Sequence, residues 1–191
     1  MAELICGVDE AGRGPIAGPV TAAAVVLPAD FPTQILADSK ALSAPRRVSA
    51  ARVIRQRAVA WAVGWVWPEE IDRLNIHRAG LEAMRRAVQA LALPPDHVLV
   101  DARTIPGIAC TQTPIVGGDA RDGSIAAASI VAKVARDAIM RQLDQAHPGW
   151  ELGRHMGYPT PQHLAALRRL GPSPVHRLSF APVARVATPS A

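Results

Sequence analysis

The sequence predicts an α/β protein: a mixed sheet of five strands flanked by helices. Two observations carry that prediction. Strand-like runs with tight, hairpin-like connections come first, and amphipathic helices then alternate with short buried strands, as parallel crossovers require. A length of 191 residues is enough to bury the core of one ordinary domain.

Residues 4 to 9 read as the first strand and VTAAAVVL (20 to 27) as the second, separated by a glycine-rich loop. SAPRRVSAARVIRQR (43 to 57) reads as a helix, with Ser43 able to cap it, Pro45 in its first turn and a basic, solvated side. AVAWAVGWVW (58 to 67) alternates, placing Val59, Trp61, Val63, Trp65 and Trp67 on one face and smaller residues on the other, which makes a third strand. Pro68 opens a short helical turn, and IHRAGLEAMRRAVQALAL (76 to 93) is an amphipathic helix stopped by Pro94 and Pro95. HVLVDA (97 to 102) is a buried strand ending in an acid. A last short strand around Cys110 to Ile115 leads through Gly117 and Gly118 to Asp119.

SIAAASIVAKVARDAIMRQLDQ (124 to 145) is the strongest helix. Ile125, Ala128, Ala132, Ala135 and Ile139 form its apolar stripe, while Lys133, Arg136, Asp137 and Arg141 lie off it. Residues 146 to 160 read as loop and PTPQHLAALRRL (159 to 170) as a short helix. The proline-rich remainder is expected to run along the surface or fray. The division expected is a core over residues 1 to 145 with residues 146 to 191 packed on it, a single domain overall.

Hydrophobic residues make up 49% of the chain and charged residues 19%, a globular composition that excludes wholesale disorder. Lys and Arg number 21 against 16 Asp and Glu, a net charge of +5 that favours polyanionic partners. MAELICG lacks a basic leader region, and no segment approaches the roughly 20 apolar residues of a membrane span. The expectation is a soluble, cytoplasmic monomer with no membrane partner. Cys6 and Cys110 have no metal-type spacing and read as free thiols.

Four acids stand where elements end: Asp9, Glu10, Asp101 and Asp119. Carboxylates at the carboxyl ends of buried strands face the crevice where α/β sheets bind ligands. Clustered carboxylates resist joint ionisation unless a cation joins them, and an all-oxygen set without a His/Cys cluster suits Mg²⁺ or Mn²⁺ better than zinc. The plainer reading is that such acids are solvated or cap helices. Strand alternation also sends neighbours Asp9 and Glu10 to opposite faces, so sharing one metal site requires the strand to end or bend there.

The loop carrying Gly12, Arg13, Gly14 and Gly18 is neither a dinucleotide fingerprint nor a Walker loop, because strand-forming residues follow it. It can bring backbone close to a substrate while Arg13 meets a phosphate, or it is a tight turn with a wet arginine. Ser39 and Lys40, and Lys133 with Arg136, either neutralise phosphates or are ordinary surface. Tyr158 is the only tyrosine of the chain and sits in a glycine-proline loop, where an aromatic ring can stack on a base or sugar.

In chain order, GVDEAGRGPIAGPV, DSKALS, VLVDA, GGDARDGSIAAASIVAKVARD, GYPTPQH and SPVHRLSFAP resemble the type 2 ribonuclease H family, ribonuclease HII. The resemblance implies a ribonuclease H-like fold with a helical C-terminal extension. It implies endonucleolytic cleavage of RNA in RNA–DNA hybrids and 5′ of single ribonucleotides in duplex DNA, with two divalent ions and 5′-phosphate and 3′-hydroxyl products. The family's metal-site carboxylates fall on Asp9, Glu10, Asp101 and Asp119; spacing alone also allows Asp122, and the GDA context favours Asp119. Its ribose-reading loop falls on Gly12, Arg13 and Gly14, and its junction-reading tyrosine on Tyr158. Lys40 and Arg46 match its phosphate-contacting positions. The competing reading is a non-catalytic nucleic-acid-binding module that uses the basic surface alone.

Overall fold

The structure is a computed structural model that describes residues 3 to 36 and 42 to 187. Among the described residues five strands form one sheet: β1 (Ile5–Ala11), β2 (Val20–Val26), β3 (Ala60–Val66), β4 (His97–Asp101) and β5 (Thr111–Ile115). Their order is β3-β2-β1-β4-β5. The β1, β2 and β3 neighbours pair antiparallel, whereas β4 pairs parallel with both β1 and β5. This is the expected mixed sheet, with hairpin-type pairing early in the chain and crossovers later.

Seven helices among the described residues surround it: α1 (Ala44–Arg57), α2 (Pro68–Leu74), α3 (Ile76–Gln89), α4 (Gly123–Ala146), α5 (Leu152–His155), α6 (Pro161–Leu170) and α7 (Ala181–Ala187). One apolar core joins Cys6, Val8, Ala22, Ala24 and Val98 of the sheet to Ala79, Ala83, Met84 and Ala87 of α3. The other joins Ala23 and Val25 to Ala51 and Ile54 of α1 and to Ala127, Val131 and Ala132 of α4. Strand β2 is buried along its whole length, which explains its unbroken alanine and valine run. In β3 the small residues Ala60, Ala62 and Gly64 take the buried positions, while Trp61 stays exposed beneath the Arg55 guanidinium.

Small residues set the spacing between helix and sheet. A Cβ on Gly7 would stand 2.1 Å from the Ser124 carbonyl carbon and 2.3 Å from the Ile125 nitrogen, so the first turn of α4 rests directly on β1. That contact brings the start of the longest helix to the strand carrying Asp9 and Glu10.

Four local expectations change. The helix after Ile76 ends at Gln89, short of the prolines, and a one-turn helix interrupts the loop before residue 160. Strand β1 does not end or bend at Asp9; its pairing with β2 continues through Asp9, Glu10 and Ala11. The C-terminal segment runs partly along the surface, as expected, but is anchored over its described part by a few buried residues. Val175, His176, Arg177 and Val183 are buried, and α7 closes a small cluster with Ile16 and Leu167. Its proline-rich composition concealed this, because these buried residues are few and two of them, His176 and Arg177, are polar.

Gly7→Ala forces backbone apart and should lower stability by about 3 kcal/mol. Gly117→Ala, with nothing within 4 Å of its Cβ and φ of 65° with ψ of 37°, should cost only about 1 kcal/mol of left-handed strain. Urea unfolding of the two variants checks this; equal losses would contradict the close β1–α4 contact.

Candidate active site

Strands β1 and β4 run parallel, and their last registered pair is Val8 with Val100. The next residues, Asp9 and Asp101, therefore stand side by side at the carboxyl edge of the sheet. Asp119 lies in a 3-10 turn, Gly118–Ala120, whose Gly118 amide donates to Asp101 Oδ1 at 2.8 Å. Ala102 adopts φ of 65°, an uncommon conformation for alanine, and turns the chain away immediately after Asp101. Asp9 and Asp119 are buried at 6% and 7% exposure, and Glu10 and Asp101 are half-buried. Asp122 serves elsewhere, since its Oδ1 accepts from the Ser124 and Ile125 amides and caps α4.

Burial pushes the Asp9 carboxyl well above the usual carboxylate range, and the negative charge of Glu10 adds to the push. Hydrogen bonds from Ser129 and from the Glu10 amide, the latter at 2.7 Å, work against it, and Asp101 raises it further. Because β1 stays regular, Asp9 faces α4 while Glu10 faces α3. There Glu10 Oε1 accepts from Arg13 Nη1 at 3.2 Å, and Arg13 Nη2 lies 2.8 Å from His77 Nδ1. Glu10 Oε2 is buried with no hydrogen-bond partner among the described residues.

Among the described residues, no three His, Cys, Asp or Glu side chains are gathered closely enough to hold a metal ion. The donor chemistry nonetheless fits a hard divalent cation. All donors are oxygens, Glu10 Oε2 is buried and unpaired, and the Asp9 carboxyl is driven toward protonation first by burial and then by its neighbours' charge.

The glycine loop borders this edge. Gly12 has φ of 93°, and a Cβ on it would meet Arg136 Nε at 2.0 Å, so only glycine lets the loop descend there. A Cβ on Gly14 would lie 3.5 Å from Tyr158 Cε1, which brings the half-exposed tyrosine ring against the loop. An open groove of about 820 Å³ is lined by Glu10, Gly12, Arg47, Ser129, Lys133 and Tyr158. Arg47 lines it, whereas Arg46 faces a separate depression beside Gln34, Leu42 and Val53. Ser39 and Lys40 lie outside the described residues.

The sequence profile of the ribonuclease HII family matches residues 6 to 183. The chain belongs to the ribonuclease HII family. Ribonuclease HII of Myxococcus xanthus is 58% identical over 180 residues, covering 94% of this chain but 61% of that longer protein. Ribonuclease HII of Moorella thermoacetica is 56% identical over 176 residues, covering 92% of this chain and 85% of the relative. Among solved structures, ribonuclease H2 of Pyrococcus horikoshii superposes with a TM-score of 0.80 at 25% identity over 96% of both chains. Bst-RNase HIII, solved in complex with Mn²⁺, shares the fold at a TM-score of 0.71 and 19% identity, over 96% of this chain and 69% of that one.

In this ribonuclease HII chain two buried arginines hold the glycine loop, and the sequence pattern does not reveal either. Arg136 lies off the apolar stripe of α4, which suggested a wet, phosphate-facing residue; the structure buries it completely. Its guanidinium donates to the carbonyls of Pro19 (2.9 Å), Ala17 (3.1 Å) and Met156 (3.0 Å). Arg177, equally buried, donates to Gly12 (2.7 Å), Arg13 (3.1 Å), Pro15 (2.7 Å) and Gly18 (2.9 Å). Burial pushes Arg136 down to about 10 and Arg177 down to about 9, the charge of Arg136 adding to the effect on Arg177. Both remain charged at neutral pH.

The tyrosine loop rests on a histidine relay. His163 Nδ1 lies 2.8 Å from the Tyr158 carbonyl, which can only accept, so Nδ1 carries the proton and Nε2 is bare. His176 Nε2, 3.0 Å away, must then donate, leaving His176 Nδ1 to accept from the Ser173 amide at 3.0 Å. His155, to which the motifs give no place, stacks on His163 at 4.1 Å. Its Nε2 donates to the Trp150 carbonyl at 2.8 Å and its Nδ1 accepts from the Gly157 amide at 3.2 Å.

Both relay histidines are neutral, and burial pushes each down to about 4. Their unfolded values are near 6.5, so between about pH 6.5 and 4 the unfolded chain binds more protons than the folded one. The relay's stabilisation is therefore present above pH 6.5 and lost as pH falls toward 4. Urea midpoints between pH 7 and pH 4.5 should fall for the wild type and fall less for a His163→Phe/His176→Phe double variant. Equal slopes would contradict a neutral, buried relay.

Proposed function

We propose that the chain is an endoribonuclease that hydrolyses the RNA strand of RNA–DNA hybrids and cuts 5′ of single ribonucleotides embedded in duplex DNA. The products would carry 5′-phosphate and 3′-hydroxyl ends. The observation that supports this most is the continuity of the site. Glu10 lines one groove with Gly12 and Tyr158 and a second hollow with Arg13 and Asp101, so two of the acids border the loop beside the tyrosine. Relatives at 56 to 58% identity that carry the name ribonuclease HII support the same reading.

Asp9, Glu10, Asp101 and Asp119 are the residues to hold Mg²⁺ or Mn²⁺. Divalent ions bound by such acids supply an activated water and charge stabilisation for the leaving 3′-oxygen. The chain's own part is positioning. Asp101 is held by the Gly118 amide and Asp9 by Ser129 and the Glu10 amide, which fixes two carboxylates at adjacent strand ends. Gly12, Arg13 and Gly14 would approach the ribose 2′-hydroxyl through backbone. Tyr158 would pack on the deoxyribose that follows, where a second 2′-hydroxyl would obstruct it. Arg47 and Lys133 line the groove as cations for the phosphate backbone; Lys133 is balanced by Asp137 at 2.7 Å.

No helix among the described residues is long and apolar enough to cross a membrane. A monomer acting in the cytoplasm is the working proposal. A purely binding module explains the basic surface but not the buried acids, since carboxylates facing a groove repel phosphates unless cations intervene.

Asp9→Asn and Asp101→Asn should each reduce metal-dependent cleavage of a singly ribo-substituted duplex by at least about 10³-fold, with duplex binding retained. Retained cleavage in both would sink the assignment of the acids. Tyr158→Ala should weaken cleavage at a lone ribonucleotide by about tenfold or more and cleavage within a continuous hybrid far less, the loss of one stacking contact. Gel assays on both substrates read this directly, and equal losses would remove Tyr158 from junction reading.

A further inference from the structure

Three chain segments meet behind the groove. The glycine loop lies between the Tyr158 loop and the C-terminal segment. Ile16 N donates to the Gly157 carbonyl at 2.9 Å, Gly18 N to Val175 O at 2.8 Å, and Arg177 N to Ile16 O at 2.9 Å. Ala17 and His176 form an isolated antiparallel bridge. The adjacent residues His176 and Arg177 then reach in different directions. Arg177 takes four carbonyls of the glycine loop, from Gly12 to Gly18, and His176 reaches Tyr158 through His163.

We propose that the His176–Arg177 pair is a positioning device for ribonucleotide recognition, fixing the Gly12–Gly14 loop and Tyr158 at one set distance from each other. The inference rests on the function proposed above and adds specificity-determining residues to it. Neither side chain touches the groove; both are buried at 2% exposure or less. The carbonyls that Arg177 holds inward leave the loop's opposite side free to face the groove. A planar guanidinium can serve four carbonyls at once, which an ammonium cannot. The C-terminal segment that presents the pair is itself tied to α2, where Asp72 accepts from the Leu178 and Ser179 amides at 2.8 and 2.9 Å. Packing makes the spacing rigid: a Cβ on Gly157 would lie 2.5 Å from the Ala17 carbonyl, so the two loops already touch backbone to backbone.

The two residues should fail differently. His176→Leu removes the donor to His163 and releases Tyr158 alone. It should lower kcat/KM about tenfold or more on a duplex with a single ribonucleotide and less than about threefold on a continuous hybrid, mainly through kcat, because a small misplacement of a positioning group is felt in the chemical step. His176→Gln, whose amide N–H can stand where Nε2–H did, should recover most of that loss. Arg177→Lys releases the glycine loop and should lower cleavage of both substrates. Equal losses on the two substrates for His176→Leu, or no recovery in His176→Gln, would overturn the inference.

Amide hydrogen exchange separates this result from the function reading. Arg177→Lys should speed exchange in residues 12 to 18, and His176→Leu in residues 155 to 160, with β4 and α3 unchanged. Exchange rising uniformly across the chain would reduce the pair to ordinary folding residues and overturn the inference. A wild-type protein that cleaves neither substrate would defeat the function reading, while the exchange pattern would still decide whether the pair positions the two loops.

Discussion

Asp9 is a carboxylate buried within a strand whose pairing, packing and register hold it in place. Gly7 seats α4 on β1, β2 holds β1 through Ala11, and the pairing of β4 with β1 stops where Asp9 begins. A burial of this kind is expensive for an ion and is raised further by Glu10 and Asp101. The rest of the site can be understood as a response to that placement. Ser129 and the Glu10 amide donate to it, the Gly118 amide steadies Asp101, and Arg13 takes one oxygen of Glu10. What these donors leave over is the negative charge that a divalent cation is suited to meet.

The opposite problem lies on the far side of the glycine loop. A loop that shows its backbone to a substrate must turn its carbonyls inward, and buried carbonyls need donors. Arg136 from α4 and Arg177 from the C-terminal segment supply seven hydrogen bonds between them, to residues 12, 13, 15, 17, 18, 19 and 156. Two cations buried beneath one loop are tolerable because carbonyl dipoles surround them and because Asp137 favours the charge of Arg136 and Asp72 that of Arg177.

Legibility from sequence followed the range of the physics involved. Alternation found β3, and short apolar runs bounded by glycine, proline or acids found the other four strands, because both patterns are local consequences of the pleat and of burial. The same patterns also put all four acids at element ends; the structure ends β4 at Asp101 but carries β1 past Asp9 and Glu10 to Ala11 and sets Asp119 inside the short 3-10 turn. Motif order carried the family, and the glycine loop with Tyr158 came together in space as that order implied. Whether β1 ends at Asp9, which alternation left open, is decided by β2 pairing beyond it, a matter of strand length that no residue near Asp9 announces. Arg136 was misplaced because helical periodicity asks only which side of a helix is apolar, not whether another loop's carbonyls will cover the polar side. Arg46 shows the same limit on a finer scale: neighbouring arginines on a helix face different hollows, and Arg47 took the groove.

By itself the sequence determined the α/β architecture, the candidate acids and the family, because hydrophobic period, chain order and motif spacing are all local quantities. Only the tertiary structure decided that Asp9 and Glu10 face opposite sides of an unbent strand. It alone showed that Asp122 caps a helix while Asp119 stands beside the Gly118 amide that holds Asp101, and that a proline-rich tail sends His176 and Arg177 under the groove. The reason is distance along the chain. Arg177 and Gly12 are 165 residues apart, and what makes a buried arginine stable there is a set of carbonyls that exists only after the loop has folded over it.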